Sequence, residues 1–257
     1  MRYGICTAAD QAANAKECGY DYIESALQVA ANMSEEEFEE QVRLLRASDM
    51  KCVAMCGFFP GTLKLVGDEA DFSNITEYVD RALSRAQKLG TEIVVFGSGA
   101  ARTIPEGADT EKCTEQLVSA IRYAGEVAAR YDITIVIEPL NAKETNLATT
   151  VAEAVQFVKK VNLPNVKTMV DFHHFHMMNE DYAELIANKE YIGHIHIARG
   201  TADRGVPCTD NDKEYLKEVF GVVKQLGYDG TFSIEAIYKD FSAEMEKAIK
   251  LFKEVNA

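Results

Sequence analysis

Eight short β-rich runs alternate with helical stretches along this chain. The runs cover residues 2–6, 20–25, 52–57, 92–97, 133–139, 166–172, 192–198 and 231–237. Between them lie helical patterns at 71–89, 111–131, 150–161, 181–189, 212–226 and 242–255, and an earlier one that begins at Ser34. Ser34-Glu35-Glu36-Glu37 reads as a capping box, and Gly19, Gly90 and Gly227 read as helix stops. The run Ile133-Thr134-Ile135-Val136-Ile137 is nearly all β-branched, as in a strand buried on both faces. Strand–helix alternation predicts an α/β protein with a parallel sheet, because parallel neighbours need a crossover that a helix supplies. Eight units with no second compositional block predict closure into a (β/α)8 barrel, a single domain over residues 1–257. The chain's 257 residues suit that size. A doubly wound open sheet is the alternative. It lacks the Gly-x-Gly-x-x-Gly that a dinucleotide site would need after the first strand.

Charge narrows the function classes. Lys and Arg total 27 against 41 Asp and Glu, a net charge of −14. Affinity for nucleic acid comes largely from neutralising phosphates, and anionic lipid makes a similar demand. Neither nucleic acid nor membrane is an expected partner. No apolar run is long enough to span a bilayer, and the first residues do not resemble a secretion signal. The six cysteines form no C-x-x-C pair, so free thiols in a reducing cytoplasm are expected.

The ends of the last four strands carry the chemistry. Catalytic groups of such barrels sit where strands end at the C-terminal face. Strand five runs into Glu138, strand six into Asp171, and strand eight into Glu235, while strand seven carries His194 and His196. Three carboxylates converging on one mouth would repel one another and resist burial. A divalent cation resolves that conflict, and three oxygens with one imidazole suit Mn²⁺, with Mg²⁺, Co²⁺ and Zn²⁺ as alternatives. His194 and His196 share a face, and His196, nearer the catalytic end, is the expected ligand. Glu24 is expected to have a structural role or to hold a ligand in place. His173 and His176 are expected to be hydrogen-bonded or solvated loop residues. All five histidines fall between His173 and His196.

At these residues the sequence resembles the xylose-isomerase-like TIM barrels of the sugar-phosphate isomerase/epimerase superfamily, nearest to the ketose 3-epimerases. The motifs are Glu138-Pro139-Leu140-Asn141, Asp171-Phe172-His173-His174, Gly193-His194-Ile195-His196, Arg204-Gly205-Val206-Pro207 and Glu235. The resemblance implies metal binding by Glu138, Asp171, His196 and Glu235, and substrate binding by Glu144, His174 and Arg204. It implies a small-molecule sugar as partner and a homo-oligomer, dimer or tetramer. Cys208 stands where the family has Gly, and the chain has no Trp, so Phe58, Phe59 and Phe96 are the aromatic candidates for the sugar. Gly97-Ser98-Gly99, with Arg102 nearby, is a weaker candidate for holding a phosphate.

The chemistry that fits is proton transfer beside a carbonyl through a cis-enediolate, with Glu138 and Glu235 as the acid/base pair. Return of the proton to the same carbon gives epimerisation, and to its neighbour isomerisation. The alternative is an inosose dehydratase or isomerase that uses the same metal site.

Overall fold

A computed structural model describes residues 1–256. Its strands are β1 (Arg2–Cys6), β2 (Tyr22–Ala26), β3 (Cys52–Cys56), β4 (Ile93–Phe96), β5 (Thr134–Ile137), β6 (Val166–Asp171), β7 (Ile192–Ile197) and β8 (Thr231–Ile234). Its helices are α1 (Ala12–Cys18), α2 (Leu27–Asn32), α3 (Glu35–Ser48), α4 (Phe72–Lys88), α5 (Gly99–Arg102), α6 (Thr110–Ala129), α7 (Val151–Val161), α8 (Phe172–Met177), α9 (Tyr182–Ala187), α10 (Lys213–Leu226) and α11 (Phe241–Val255). The strands follow one another around a closed, all-parallel barrel in which β8 pairs with β1.

The long helices form where hydrophobic periodicity and capping agree. Ser34 accepts a hydrogen bond from the Glu37 amide, and the Glu37 carboxylate accepts from the Ser34 amide. Phe38, Val42 and Leu45 on the same helix then point inward. Asp71, Asp109 and Thr150 cap α4, α6 and α7 by accepting from first-turn amides, without the reciprocal bond. The apolar sides of these helices close over strands that are themselves almost wholly buried, such as Ile93–Phe96. This is the double burial expected of parallel strands.

Three short helices depart from the sequence expectation. The segment with His173, His174 and His176, expected as loop, winds into α8, with the Asp171 carboxylate accepting from the His173 amide at 2.8 Å. Helices α2 and α5, six and four residues long, also lie outside the helical patterns of the sequence. Such lengths are below what propensity can sustain alone, so tertiary packing decides them. The 181–189 stretch is shorter as a helix than expected and passes into a 3₁₀ turn at Lys189–Tyr191.

Candidate metal and active centre

The barrel register brings the expected ligands together. Asp171 at the end of β6 lies directly opposite His196 on β7. Glu138 follows β5 by one residue, and Glu235 follows β8 by one. One donor atom from each of Glu138, Asp171, His196 and Glu235 lies within 4.8 Å of the others. His196 Nδ1 is 3.4 Å from Glu138 Oε1 and 3.0 Å from Glu235 Oε2. Glu138, Asp171 and His196 are buried, and Glu235 keeps partial exposure towards the mouth.

Two buried atoms of this group, Glu138 Oε1 and His196 Nδ1, have no hydrogen-bond partner among the described residues. Unpaired buried polar atoms are costly and rare, and two that face each other fit a shared cation. The His196 ring is oriented from behind. Its Nε2–H donates to Glu24 Oε1 at 2.9 Å, which leaves Nδ1 facing the carboxylates. The same carboxylate reaches His194 Nε2 at 3.0 Å, and His194 Nδ1 lies 2.7 Å from Thr231 Oγ1. A carboxylate behind a ligating histidine fixes its ring and tautomer. This agrees with the structural, ligand-holding role expected of Glu24. Its long-range pairing with two histidines comes only from barrel closure.

Electrostatics supports the same fit. Burial pushes Glu24 up, but His196 and His194 outweigh it and hold it well below the usual carboxylate range. Burial likewise opposes the charge on Asp171 and Glu235. Arg204 and the nearby histidines hold Asp171 low, and His196 and Arg204 do the same for Glu235. Burial pushes the His196 ring down, yet Glu24 and Glu235 raise it well above ordinary imidazole. A cluster that stabilises extra positive charge on a buried ring matches a divalent cation. Glu138 differs: burial, with Glu235 nearby, raises it above its ordinary value. Two neighbouring carboxyls pushed apart in this way are suited to acid and base roles.

The expected substrate residues gather on the open side. Arg204, in a left-handed backbone conformation (φ 48°), donates through Nη2 to Asp171 Oδ2 at 2.6 Å and also to the Glu235 carboxylate. Its Nη1 lies 3.1 Å from His174 Nε2. His174 Nδ1 lies 2.9 Å from Asn141 Nδ2, which donates to Glu144 Oε1 at 2.8 Å. Glu144 is half exposed, with a carboxylate oxygen free to meet a hydroxyl group. His173 is buried, and His176 bonds the Tyr182 hydroxyl at 2.8 Å, away from the ligands.

Two sequence features acquire other roles. Phe58, Phe59 and Phe96 are buried against one another and Tyr78, with Phe58 and Phe59 stacked at 4.3 Å. They are core packing beside the mouth, not an exposed wall for a sugar. In Gly97-Ser98-Gly99, a Cβ on Gly97 would come within 2.2 Å of Glu138 Oε2, and one on Gly99 within 2.6 Å of the Glu144 carbonyl. The loop admits the Glu138 carboxylate and the Glu144 turn. Arg102 is wholly buried beneath it. Its guanidinium donates to the carbonyls of Phe96 at 3.1 Å, Glu138 at 2.7 Å and Ala148 at 3.4 Å. It joins the ends of β4 and β5 to the turn that carries Glu144. Nothing local in the sequence marks this buried cation.

Known proteins share this architecture. The family model for the xylose isomerase-like TIM barrel matches residues 12–255. The 2-oxo-tetronate isomerase of Cupriavidus necator is 30% identical over 178 residues, 68% of this chain and 65% of that protein. The match therefore spans just under two thirds of that relative's length. The L-ribulose 3-epimerase of Methylomonas sp. is 28% identical over 239 residues, 91% of this chain and 78% of that protein. The structure of D-psicose 3-epimerase with D-tagatose, from Clostridium cellulolyticum H10, superimposes with a TM-score of 0.84. It covers 100% of this chain and 99% of that one at 20% identity, a likeness of fold.

Proposed function

The chain belongs to the xylose isomerase-like TIM barrel family, and on that premise we propose that it is a divalent-metal-dependent sugar isomerase/epimerase acting as a ketose 3-epimerase. The observation that carries this reading is the convergence of two carboxylates, Glu138 and Glu235, on one imidazole nitrogen at the mouth. A simple sugar-binding site has no need of two proton-transfer groups. The names of the relatives, isomerases and 3-epimerases of small polyhydroxy compounds, point the same way.

Glu138, Asp171, His196 and Glu235 would hold the cation. When bound, it supplies Lewis-acid stabilisation of the negative charge that develops beside a carbonyl. Mn²⁺ suits the oxygen-rich donor set. Glu138 and Glu235 reach the site from β5 and β8, which stand apart on the barrel rim. One takes a proton from the carbon beside the carbonyl, and the other returns a proton to the opposite face. His174 and Arg204 donate to substrate oxygens, and Glu144 accepts from a hydroxyl. Burial of Glu138 raises its proton affinity and a bound cation lowers it, and the balance of the two sets the carboxylate for proton transfer. Six free thiols support a cytoplasmic setting, and the family resemblance supports a dimer or tetramer, which light scattering tests.

The test is turnover of a ketose panel in D₂O with Mn²⁺-loaded protein. Deuterium at C3 is the expected result. Label at C1 or C2 would assign an isomerase instead, the reading favoured by the 2-oxo-tetronate isomerase likeness, and loss of water would assign a dehydratase. Glu138→Gln and Glu235→Gln should each lower turnover at least about a hundredfold, the scale of general acid–base catalysis. Near-normal turnover in either, with metal still bound, would sink the two-base scheme.

A further inference from the structure

Beside the four-ligand centre lies a second set of donors that the proposed reaction does not use. Cys6 ends β1 and Cys56 ends β3, so both side chains reach the same mouth. One donor atom from each of Cys6, Cys56 and Glu235 lies within 4.8 Å of the others. Cys6 Sγ also lies within that distance of Glu24 and His196 donor atoms. Both cysteines are partly exposed and free. They open onto a cavity of about 240 Å³ that is also lined by Cys52, Met33 and Met55. Soft sulfur donors are concentrated here, on the β1–β3 side, whereas the four-ligand centre is oxygen-rich.

We propose that Cys6, Cys56 and Glu235 form a second cation site, one that takes thiophilic divalent ions such as Zn²⁺ or Cd²⁺. The geometry favours a shared ion over a disulfide. β2 stands between β1 and β3, so the two backbones are separated by two strand spacings, up to roughly 9.5 Å. A disulfide tolerates Cα atoms no more than about 7 Å apart. Two thiolates bound to one metal at about 2.3 Å each bridge a gap of roughly 4 Å between sulfurs, within the observed cluster. Thiolate ligands select Zn²⁺ and its softer congeners over Mn²⁺ or Mg²⁺, so the two centres differ in the ions they select. Glu235 has two carboxylate oxygens and belongs to both, which makes it the point where a soft ion acts on the first centre. Metal entry displaces the two thiol protons to solvent, and no oxidant is required.

The site does not depend on the identity of the sugar, and its test reads binding rather than turnover. The full chain, stripped by a chelator and reloaded with one equivalent of Mn²⁺, is titrated with Cd²⁺ while the ultraviolet sulfur-to-cadmium charge-transfer band is followed. The band should grow to saturation at about one Cd²⁺ per chain while Mn²⁺ stays bound. Cys6→Ser and Cys56→Ser should each weaken this binding at least about tenfold, as loss of a metal contact does. Glu235→Gln should weaken it as well, and Cys18→Ser should leave it unchanged. Absence of the band in the unaltered chain, or Cd²⁺ entry only by expulsion of Mn²⁺, would overturn the proposal without recourse to any variant. So would a band of full intensity and affinity in the Cys6→Ser/Cys56→Ser double variant. A Glu235→Gln titration identical to the parent would overturn the sharing of that residue.

Discussion

Single side chains at the mouth owe their positions to partners distant in sequence. Glu24 orients His196 across 172 positions of chain. Glu24→Gln keeps the shape but removes the charge behind the ring, so Mn²⁺ affinity should fall about 10- to 100-fold. Calorimetric titration checks this, and unaltered affinity would remove Glu24 from the metal's support. Gly97 makes the complementary point about space. Gly97→Ala places a methyl group where Glu138 Oε2 now lies, and that carboxylate must leave its position. Metal binding should then weaken by at least about tenfold, with little change in the circular dichroism spectrum. The proposed ligands were legible as residues, because four ionisable groups end or follow four consecutive strands at one rim of the barrel. Glu24 was visible as a strand-end acid, but its two histidine partners were not. Arg102 carried no such mark, since its acceptors are carbonyls of three separate segments.

At the scale of elements, periodicity and caps located the eight strands and the long helices, with edges that differ by a few residues. Helices α2, α5 and α8 escaped because a turn or two carries no readable period. One junction between elements sets a pH dependence. The Glu180 carboxylate accepts from the Val151 amide at 2.8 Å, at the first turn of α7. Burial raises its pKa to about 7, against a partial lowering by that amide. A carboxyl whose folded pKa lies above its unfolded value binds more protons in the folded state. Its contribution is therefore full below pH about 4.5 and is lost as pH rises through about 7. Glu180→Gln retains an acceptor for Val151 and removes that titration. The variant should match the parent near pH 4 and exceed it in stability by about 1 kcal/mol at pH 8, a figure discounted for the solvent that reaches the group. Urea unfolding across this range decides it, and parallel pH profiles would show that Glu180 titrates normally.

Over the whole molecule, the barrel brings acids from β5, β6 and β8 to a single point beside the β7 imidazole. The four proposed ligands lie in or directly after four strands, so a cation held by them would tie together the half of the barrel that closes it. Chelation should abolish activity and lower the melting temperature. Restoring Mn²⁺ at about a hundred times its dissociation constant should return roughly 2.7 kcal/mol of stability. Equal melting temperatures with and without metal would mean that the four residues do not bind it. The net charge of −14 is carried largely by exposed helix acids such as Glu35, Glu36 and Glu39, while these few converge inward. By itself the sequence determined the α/β barrel, the order of its units and the ionisable residues at their ends. Those features are written in contacts and periods a few residues long. Only the tertiary structure decided which ring nitrogen faces the acids, that Gly97 makes room for Glu138, that Arg102 is buried beneath Glu138, and that Cys6 meets Cys56. These depend on the register and closure of eight strands, which bring side chains far apart in the chain within a few ångströms of one another.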